Sequence, residues 1–499
     1  MDENIARLAA LDKERTLLSH IGALLGWDQE TYMPRAAVDE RAEQLALIEG
    51  LAHEKAVAPE IGKILEELES QDSLDPLEKA YLRVCRREYD KETKLPSSLV
   101  TEMARATSLS QAAWAEARKN DDFASFAPHL ERVLELNRQM AAALDPSAKA
   151  YDVLLDLYEL GATEASISSV FAVMKADLLS VLDKIRGRPQ VEDAFLRKKV
   201  SAAAQEKLNQ RMIDVLGYDR ERGRLDLTAH PFTTSLGKDD VRITTRFLEE
   251  YFPSGLFSTI HESGHALYEL GLDLGPAYAG TRLSEAISTG IHESQSRMWE
   301  NIIGRSKAFW KRLYPDLVSG TEGALEGVGL DEFIRSINKV EPSLIRTEAD
   351  EVTYGLHVIV RFELESELVS GRLRVDDLPG AWDEAYKKLL GIKVPDDARG
   401  CLQDIHWSMG AFGYFPSYAL GNLYAAQFWD AMKRDLPGLE KSIEEGDLSR
   451  PLGWLRKNIH SKGSAMSPAE LVKDVTGETL DPKHFAAYLD GKYKTVYGY

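Results

Sequence analysis

His261-Glu262-Ser263-Gly264-His265 lies between Pro253-Ser254-Gly255 and Gly271. A proline at a first helical position and a glycine just past the last are start and stop signals, so the segment reads as a helix from Pro253 to about Leu270. On that helix four residues make about 400° of rotation, which leaves His261 and His265 only about 40° apart. Both rings can reach one metal ion. Glu262 is turned about 100° from His261, beside the ion rather than on it, where it can act as a base on a water held there. Gly264 leaves a bare patch on the helix against which another element can pack closely. With 11 His in 499 residues, chance supplies roughly 0.02 such patterns, so the motif points to a zinc hydrolase rather than to two structural histidines.

A catalytic zinc takes three protein ligands and keeps one position open. The third is commonly a glutamate from a following helix. Glu269, Glu285, Glu293 and Glu300 are within range. Spacing favours Glu293, in Gly290-Ile291-His292-Glu293-Ser294-Gln295-Ser296-Arg297, because Ser288-Thr289-Gly290 can open a new helix. Glu285, in the connecting segment, is the second candidate. Glu300 falls on the same face as Glu293, two turns on, where it could support a ligand. No histidine follows His265 at the spacing of the long metzincin pattern.

Outward from this motif, most of the chain repeats at helical period. Residues 1–50 carry Ile5, Leu8, Leu11, Leu17, Leu18, Ile21, Leu24 and Leu25 at spacings of three, four and seven, and residues 56–92, 98–118, 122–144 and 164–186 read similarly. Turn signals fall at Gly26-Trp27-Asp28, Met33-Pro34, Leu144-Asp145-Pro146 and Gly187-Arg188-Pro189. One stretch differs: Leu225–Ser235 and Val241–Thr245 are rich in Thr and β-branched residues around the turn Gly237-Lys238-Asp239-Asp240. This predicts a small antiparallel hairpin just before the metal helix, with an edge to which an extended peptide could pair.

Lys and Arg total 61 against 81 Asp and Glu, a net charge of −20. Such a field disfavours nucleic acid and anionic membrane as partners. Cys85 and Cys401 are too few for a disulfide framework and lie in no metal-ligand spacing. Met1-Asp2-Glu3-Asn4 lacks a secretory pattern, and no apolar run reaches about 18 residues. A reduced, cytoplasmic, soluble protein is expected.

His261-Glu262-Ser263-Gly264-His265 followed by His292-Glu293-Ser294-Gln295 resembles the carboxypeptidase Taq family of metallocarboxypeptidases. The resemblance extends to Trp27–Pro34, His230-Pro231-Phe232, Asp240-Val241-Arg242-Ile243-Thr244, Ile345-Arg346-Thr347-Glu348-Ala349-Asp350 and Gly400–Trp407, in the family's order over nearly the whole chain. It implies an all-α fold with a small antiparallel sheet near the site, two lobes and a deep cleft, similar to angiotensin-converting enzyme and neurolysin. Within one peptidase domain spanning 1–499, residues 1–220 would form a helical lobe and cleft cover, 221–430 the catalytic core, and 431–499 the C-terminal helices. It also implies release of single C-terminal residues with broad specificity, zinc as the metal with cobalt able to substitute, a homodimer, and Glu293 as third ligand beside His261 and His265.

The reaction then needs a base, an oxyanion donor and a cation for the substrate's terminal carboxylate. Glu262 is the base. Arginine suits a carboxylate because its planar fork binds bidentately; the resemblance points to Arg346, with Arg242 as the alternative. His406 paired with Tyr418 or Tyr414 supplies the oxyanion donors. His230 and His292 are candidates to orient ligands or contact substrate. An oligopeptidase or dipeptidyl carboxypeptidase of the same architecture is the alternative activity. A catalytically dead scaffold is disfavoured by the intact ligand set.

Overall fold

The computed structural model describes residues 2–499. Helices dominate from Glu3–Thr31 at one end to Lys483–Tyr497 at the other. The helices expected at 98–118, 122–144 and 164–186 appear as Ser97–Asn120, Phe123–Leu144 and Glu164–Ile185. The first helix runs straight through Gly26-Trp27-Asp28 to Thr31 and breaks only at Met33-Pro34. A glycine in a helix costs only about 1 kcal/mol, and Trp27 gains burial there, with the guanidinium groups of Arg242 and Arg224 4.2 and 5.3 Å from its ring centre. The 56–92 segment divides into Pro59–Glu69 and Pro76–Lys94, split where Asp75 caps the second helix by accepting from Leu77 and Glu78 N–H.

The sheet differs from the expected hairpin. It has three strands, β1 (Leu225–Leu227), β2 (Thr233–Ser235) and β3 (Val241–Thr245), in the order β1-β3-β2. β2 and β3 form the antiparallel pair, closed where Leu236 N–H donates to Asp240 O at 2.8 Å. β1 instead runs parallel to β3 on its other side, with Leu225 opposite Ile243. The sheet is therefore mixed. The stretch 225–235 cannot be one strand because Pro231 has no N–H to give a ladder, and the chain crosses over at Ala229-His230-Pro231.

One apolar core draws residues from Ala117 to Tyr497. A smaller one joins Ile5, Leu8, Leu65, Leu68 and Tyr81 to Tyr278 and Leu283. The sheet packs through Val241 and Ile243 onto Ala266 and Leu270 of the metal helix. Glu164–Ile185 is long and apolar enough to cross a membrane by length and composition. Its residues Ile167, Phe171, Met174, Leu178 and Val181 are nevertheless buried in the main core, at the i, i+3, i+4 spacing of an amphipathic helix.

Candidate active site

The metal motif lies on the helix Pro253–Glu269, opened by Pro253 as expected. It packs against Thr289–Arg297, whose first N–H groups are capped when Ser288 Oγ accepts from Ile291 N–H. The two helices meet where Gly264 has no side chain: a Cβ there would lie 2.6 Å from Ser296 Cα. This close approach brings Glu293 to the two histidines. His265 Nε2 is 3.4 Å and His261 Nε2 3.7 Å from Glu293 Oε2. Ligand atoms held at 2.0–2.2 Å around a tetrahedral ion stand about 3.4 Å apart. The three atoms are thus spaced as ligands of one ion rather than as hydrogen-bond partners, and two imidazoles with one carboxylate suit zinc.

Every other polar atom of this trio is occupied. His261 Nδ1 lies 3.0 Å from Glu300 Oε2, on the π-helical turn Met298–Ile303. His265 Nδ1 lies 2.5 Å from His292 Nδ1, and His292 Nε2 is 2.8 Å from Glu269 Oε1. Both ligand rings are therefore held with Nε2 free for the ion. Glu293 Oε1 accepts from Arg297 Nε at 2.6 Å, while Oε2 accepts from Ser296 Oγ at 3.0 Å. Arg305 Nη2 donates to Glu300 Oε1 at 2.9 Å.

The electrostatics follow. Burial and the neighbouring His292 push His265 down to about 3. Burial also opposes a charge on His261, but Glu293 and Glu300 outweigh it and raise its pKa. Burial alone would raise Glu293; Arg297 and the two histidines hold it well below the usual carboxylate range. Glu262 is buried and shifted upward by that burial. Its Oε2 accepts from Thr233 Oγ1 at 2.6 Å.

A second wall comes from the helix Pro416–Asp435, which presses on Glu293 through Gly421. A Cβ on Gly421 would fall 2.5 Å from Glu293 Cγ. Tyr418 stands one turn before Gly421. Its hydroxyl is 3.2 Å from His406 Nε2, and the Tyr414 ring centre lies 5.3 Å from its own. Burial with the charge on Arg346 pushes His406 down to about 4. Burial raises both tyrosines, with Glu293 among the further causes.

Arg346 lies beside this group, its guanidinium 4.8 Å from the Tyr418 ring centre. Its fork is not open: Nε and Nη2 donate to Asp404 Oδ1 at 3.1 and 2.8 Å, and Nη1 donates to the Tyr354 hydroxyl at 3.0 Å. The other oxygen, Asp404 Oδ2, accepts from Arg361 Nε at 2.7 Å. Two buried arginines therefore divide one carboxylate. Arg242 is closed differently, with both oxygens of Asp240 bound at 2.7 and 2.8 Å and Trp27 under its face.

Some sequence candidates are placed elsewhere. Glu285 pairs with Arg15 at 2.9 Å and is no ligand. Glu269 supports His292 instead of binding the ion. His230 is exposed in the bend between β1 and β2 and makes no hydrogen bond among the described residues; it is His292 that contacts a candidate ligand ring, His265. Thr233, Arg297, Arg305 and Asp404 were not foreseen as parts of the site. Of these, only Arg297 carried a local signal, its i,i+4 spacing from Glu293.

Comparison with known proteins places the whole chain in one family. Residues 7–493 match a family model described as carboxypeptidase Taq (M32) metallopeptidase. Thermostable carboxypeptidase 1 of Thermus thermophilus is 42% identical over 98% of both chains. Carboxypeptidase 1 of Bacillus subtilis is 38% identical over 95% of both. Among solved structures, the M32 carboxypeptidase of Deinococcus radiodurans superposes with a TM-score of 0.97 at 41% identity over the full length of both chains.

Proposed function

The chain belongs to the carboxypeptidase Taq (M32) metallopeptidase family, and from that premise we propose a zinc-dependent carboxypeptidase that releases single residues of broad type from peptide C-termini. That the chain is a metallocarboxypeptidase follows from the family and its named relatives. The observation that supports metal-assisted hydrolysis in this chain is the convergence of His261 Nε2, His265 Nε2 and Glu293 Oε2, with Glu262 on the next position of the same helix.

His261, His265 and Glu293 would hold Zn²⁺, and Co²⁺ could take the same donors. Such an ion supplies Lewis acidity, acidifying a water and polarising the scissile carbonyl. Glu262 accepts the proton of the attacking water and delivers it to the leaving amine nitrogen, the general acid–base role. His406 and Tyr418 or Tyr414 donate to the developing oxyanion. Arg346 anchors the terminal carboxylate. Asp404 and the Tyr354 hydroxyl engage all three of its nitrogens, so a substrate carboxylate would share the guanidinium with Asp404; Arg346 and Arg361 together carry one more positive charge than Asp404 neutralises. Arg242, matched one-to-one by Asp240, is the weaker candidate. The outer edge of β2 offers backbone groups to an extended peptide, and His230, exposed three residues before β2, would contact substrate.

The remaining reading is a cytoplasmic homodimer acting on peptides with a free C-terminus, with neither nucleic acid nor membrane as partner. It is supported by the resemblance and by the charge of −20. Mass spectrometry of a peptide digested with and without chelator tests the activity. Single C-terminal residues should be released, only without chelator, and a C-terminally amidated peptide should resist. Dipeptide release or internal cleavage would instead identify a dipeptidyl carboxypeptidase or oligopeptidase.

A further inference from the structure

Thr233 is the one side chain, among the described residues, that hydrogen-bonds the Glu262 carboxylate. Its Oγ1 is 2.6 Å from Glu262 Oε2 and 3.0 Å from the main-chain oxygen of the same residue. Oε1 of Glu262 has no hydrogen-bond partner among the described residues. Thr233 is itself fixed from behind: it pairs across the sheet with Ile243, and the Thr244 N–H donates to Phe232 O at 2.9 Å. Its strand, β2, pairs on one side only.

We propose that Thr233 is a positioning residue for the reaction: its hydroxyl holds Oε2 of Glu262 and so dedicates Oε1 to the proton of the attacking water. This rests on the reading of Glu262 as the base. The hydroxyl has one hydrogen and two acceptors on the same residue. While the carboxylate is charged, the hydrogen goes to Oε2, because a bond to an ionised acceptor is the stronger. When Oε1 has gained the proton that advantage falls, and the hydroxyl can turn toward the main-chain oxygen without the strand moving. The carboxyl is then free to swing toward the leaving amine. A single carboxylate that serves first as base and then as acid needs such a hold and release. Because the hydroxyl is on the edge strand rather than on the metal helix, the base is aligned by the element beside which the substrate backbone would lie.

Valine is close to isosteric with threonine and suits a strand, so Thr233→Val removes the hydroxyl with little change of shape, and Thr233→Ser restores it. The test compares both, with Thr233→Ala as a second hydroxyl-free variant, in steady-state kinetics on a peptide with a free C-terminus and in competition for Zn²⁺ with a chromophoric chelator. T233V and T233A should lose roughly tenfold or more in kcat, as expected for one charge-assisted bond. KM and Zn²⁺ affinity should stay within about twofold, and T233S should keep most of the wild-type kcat. In a Glu262→Gln background, T233V should add no further loss. An unchanged kcat in T233V overturns the proposal, as does a T233S variant as slow as T233V, which would show packing rather than the hydroxyl to matter. Full activity of E262Q alone would instead remove the premise that Glu262 is the base.

Discussion

His265 and His292 face each other Nδ1 to Nδ1 at 2.5 Å. Only one of the two nitrogens can carry hydrogen, and the second His292 nitrogen decides which. It lies 2.8 Å from Glu269 Oε1, so it is the donor there. His292 Nδ1 is then an acceptor, His265 Nδ1 donates to it, and the lone pair of His265 Nε2 points at Glu293. A carboxylate two hydrogen bonds removed thus sets the tautomer of a candidate metal ligand. Glu269→Ala should lower metal affinity by about 10–100-fold, measured by chelator competition. Glu285→Ala, which disturbs only the pair with Arg15, should leave it unchanged.

Glu262→Gln keeps the size and most of the packing of the side chain but cannot take a proton. Metal binding should persist, since the proposed ligands are His261, His265 and Glu293, while kcat falls by roughly 10²–10⁴-fold. Metal content by atomic absorption together with a kinetic assay checks both halves. Loss of the metal would mean that Glu262 is part of the ligand set.

The candidate ligand pair was legible because His261 and His265 lie within about one helical turn, where spacing alone dictates which face they share. Gly264 was legible for the same reason: a bare position between two ligands implies a close neighbour, and Ser296 is that neighbour. What escaped notice lies in tertiary pairings. Thr233 meets Glu262 from 29 residues away, and Asp404 meets Arg346 from 58; no period or propensity encodes either contact. Thr-rich composition marks strands but not their order, so it joins β1 to β2, and Pro231, the break between them, carries the correction. The turn expected at Gly26-Trp27-Asp28 fails in the opposite sense: the helix runs on through it, since burial of Trp27 outweighs the local preference for a turn.

Arg346 and Asp404 should separate binding from folding. Arg346→Ala should raise KM for peptides with a free carboxylate far more than for amidated ones. Equal effects on both would exclude Arg346 as the anchor. Asp404→Asn leaves Arg346 and Arg361, both buried, without their shared counter-charge. Breaking a buried pair from one side costs about 3–5 kcal/mol, so the denaturant midpoint should fall sharply even with substrate absent.

Gly421 offers a test of the wall behind the third ligand. A Cβ there meets Glu293 Cγ at 2.5 Å and Cβ at 2.7 Å. Gly421→Ala must therefore push Glu293 or the Pro416–Asp435 helix away, and both metal affinity and stability should drop, the latter by about 1–3 kcal/mol for overpacking. Gly453 is also helical, with nothing within 4 Å of its Cβ position. Gly453→Ala should instead stabilise by about 0.5–1 kcal/mol, the helical preference of alanine over glycine. Thermal unfolding of both variants checks the contrast in sign.

Glu365 connects the interior to solution pH. It is fully buried and accepts from Trp407 Nε1 at 2.8 Å, Tyr151 OH at 2.8 Å and Gly413 N–H at 3.0 Å. Burial dominates over these donors and pushes the carboxyl up to about 7 from its ordinary 4.5. A folded-state pKa above the unfolded one means that the native protein binds the proton more tightly. The resulting stability is complete below about pH 4.5 and is lost as the pH rises through about 7. At about 1.4 kcal/mol per unit, the change is on the order of 3 kcal/mol. Glu365→Gln cannot ionise and lacks this dependence. Relative to wild type, the variant should gain about 2–3 kcal/mol in unfolding free energy between pH 5 and pH 8, whatever its offset at pH 5. Taking the difference between the two proteins cancels the titration they share, including that of Glu159, which burial likewise pushes up to about 7. A wild-type-to-variant gap that does not change with pH would show Glu365 to be ionised in the folded protein throughout, with the three donors outweighing burial.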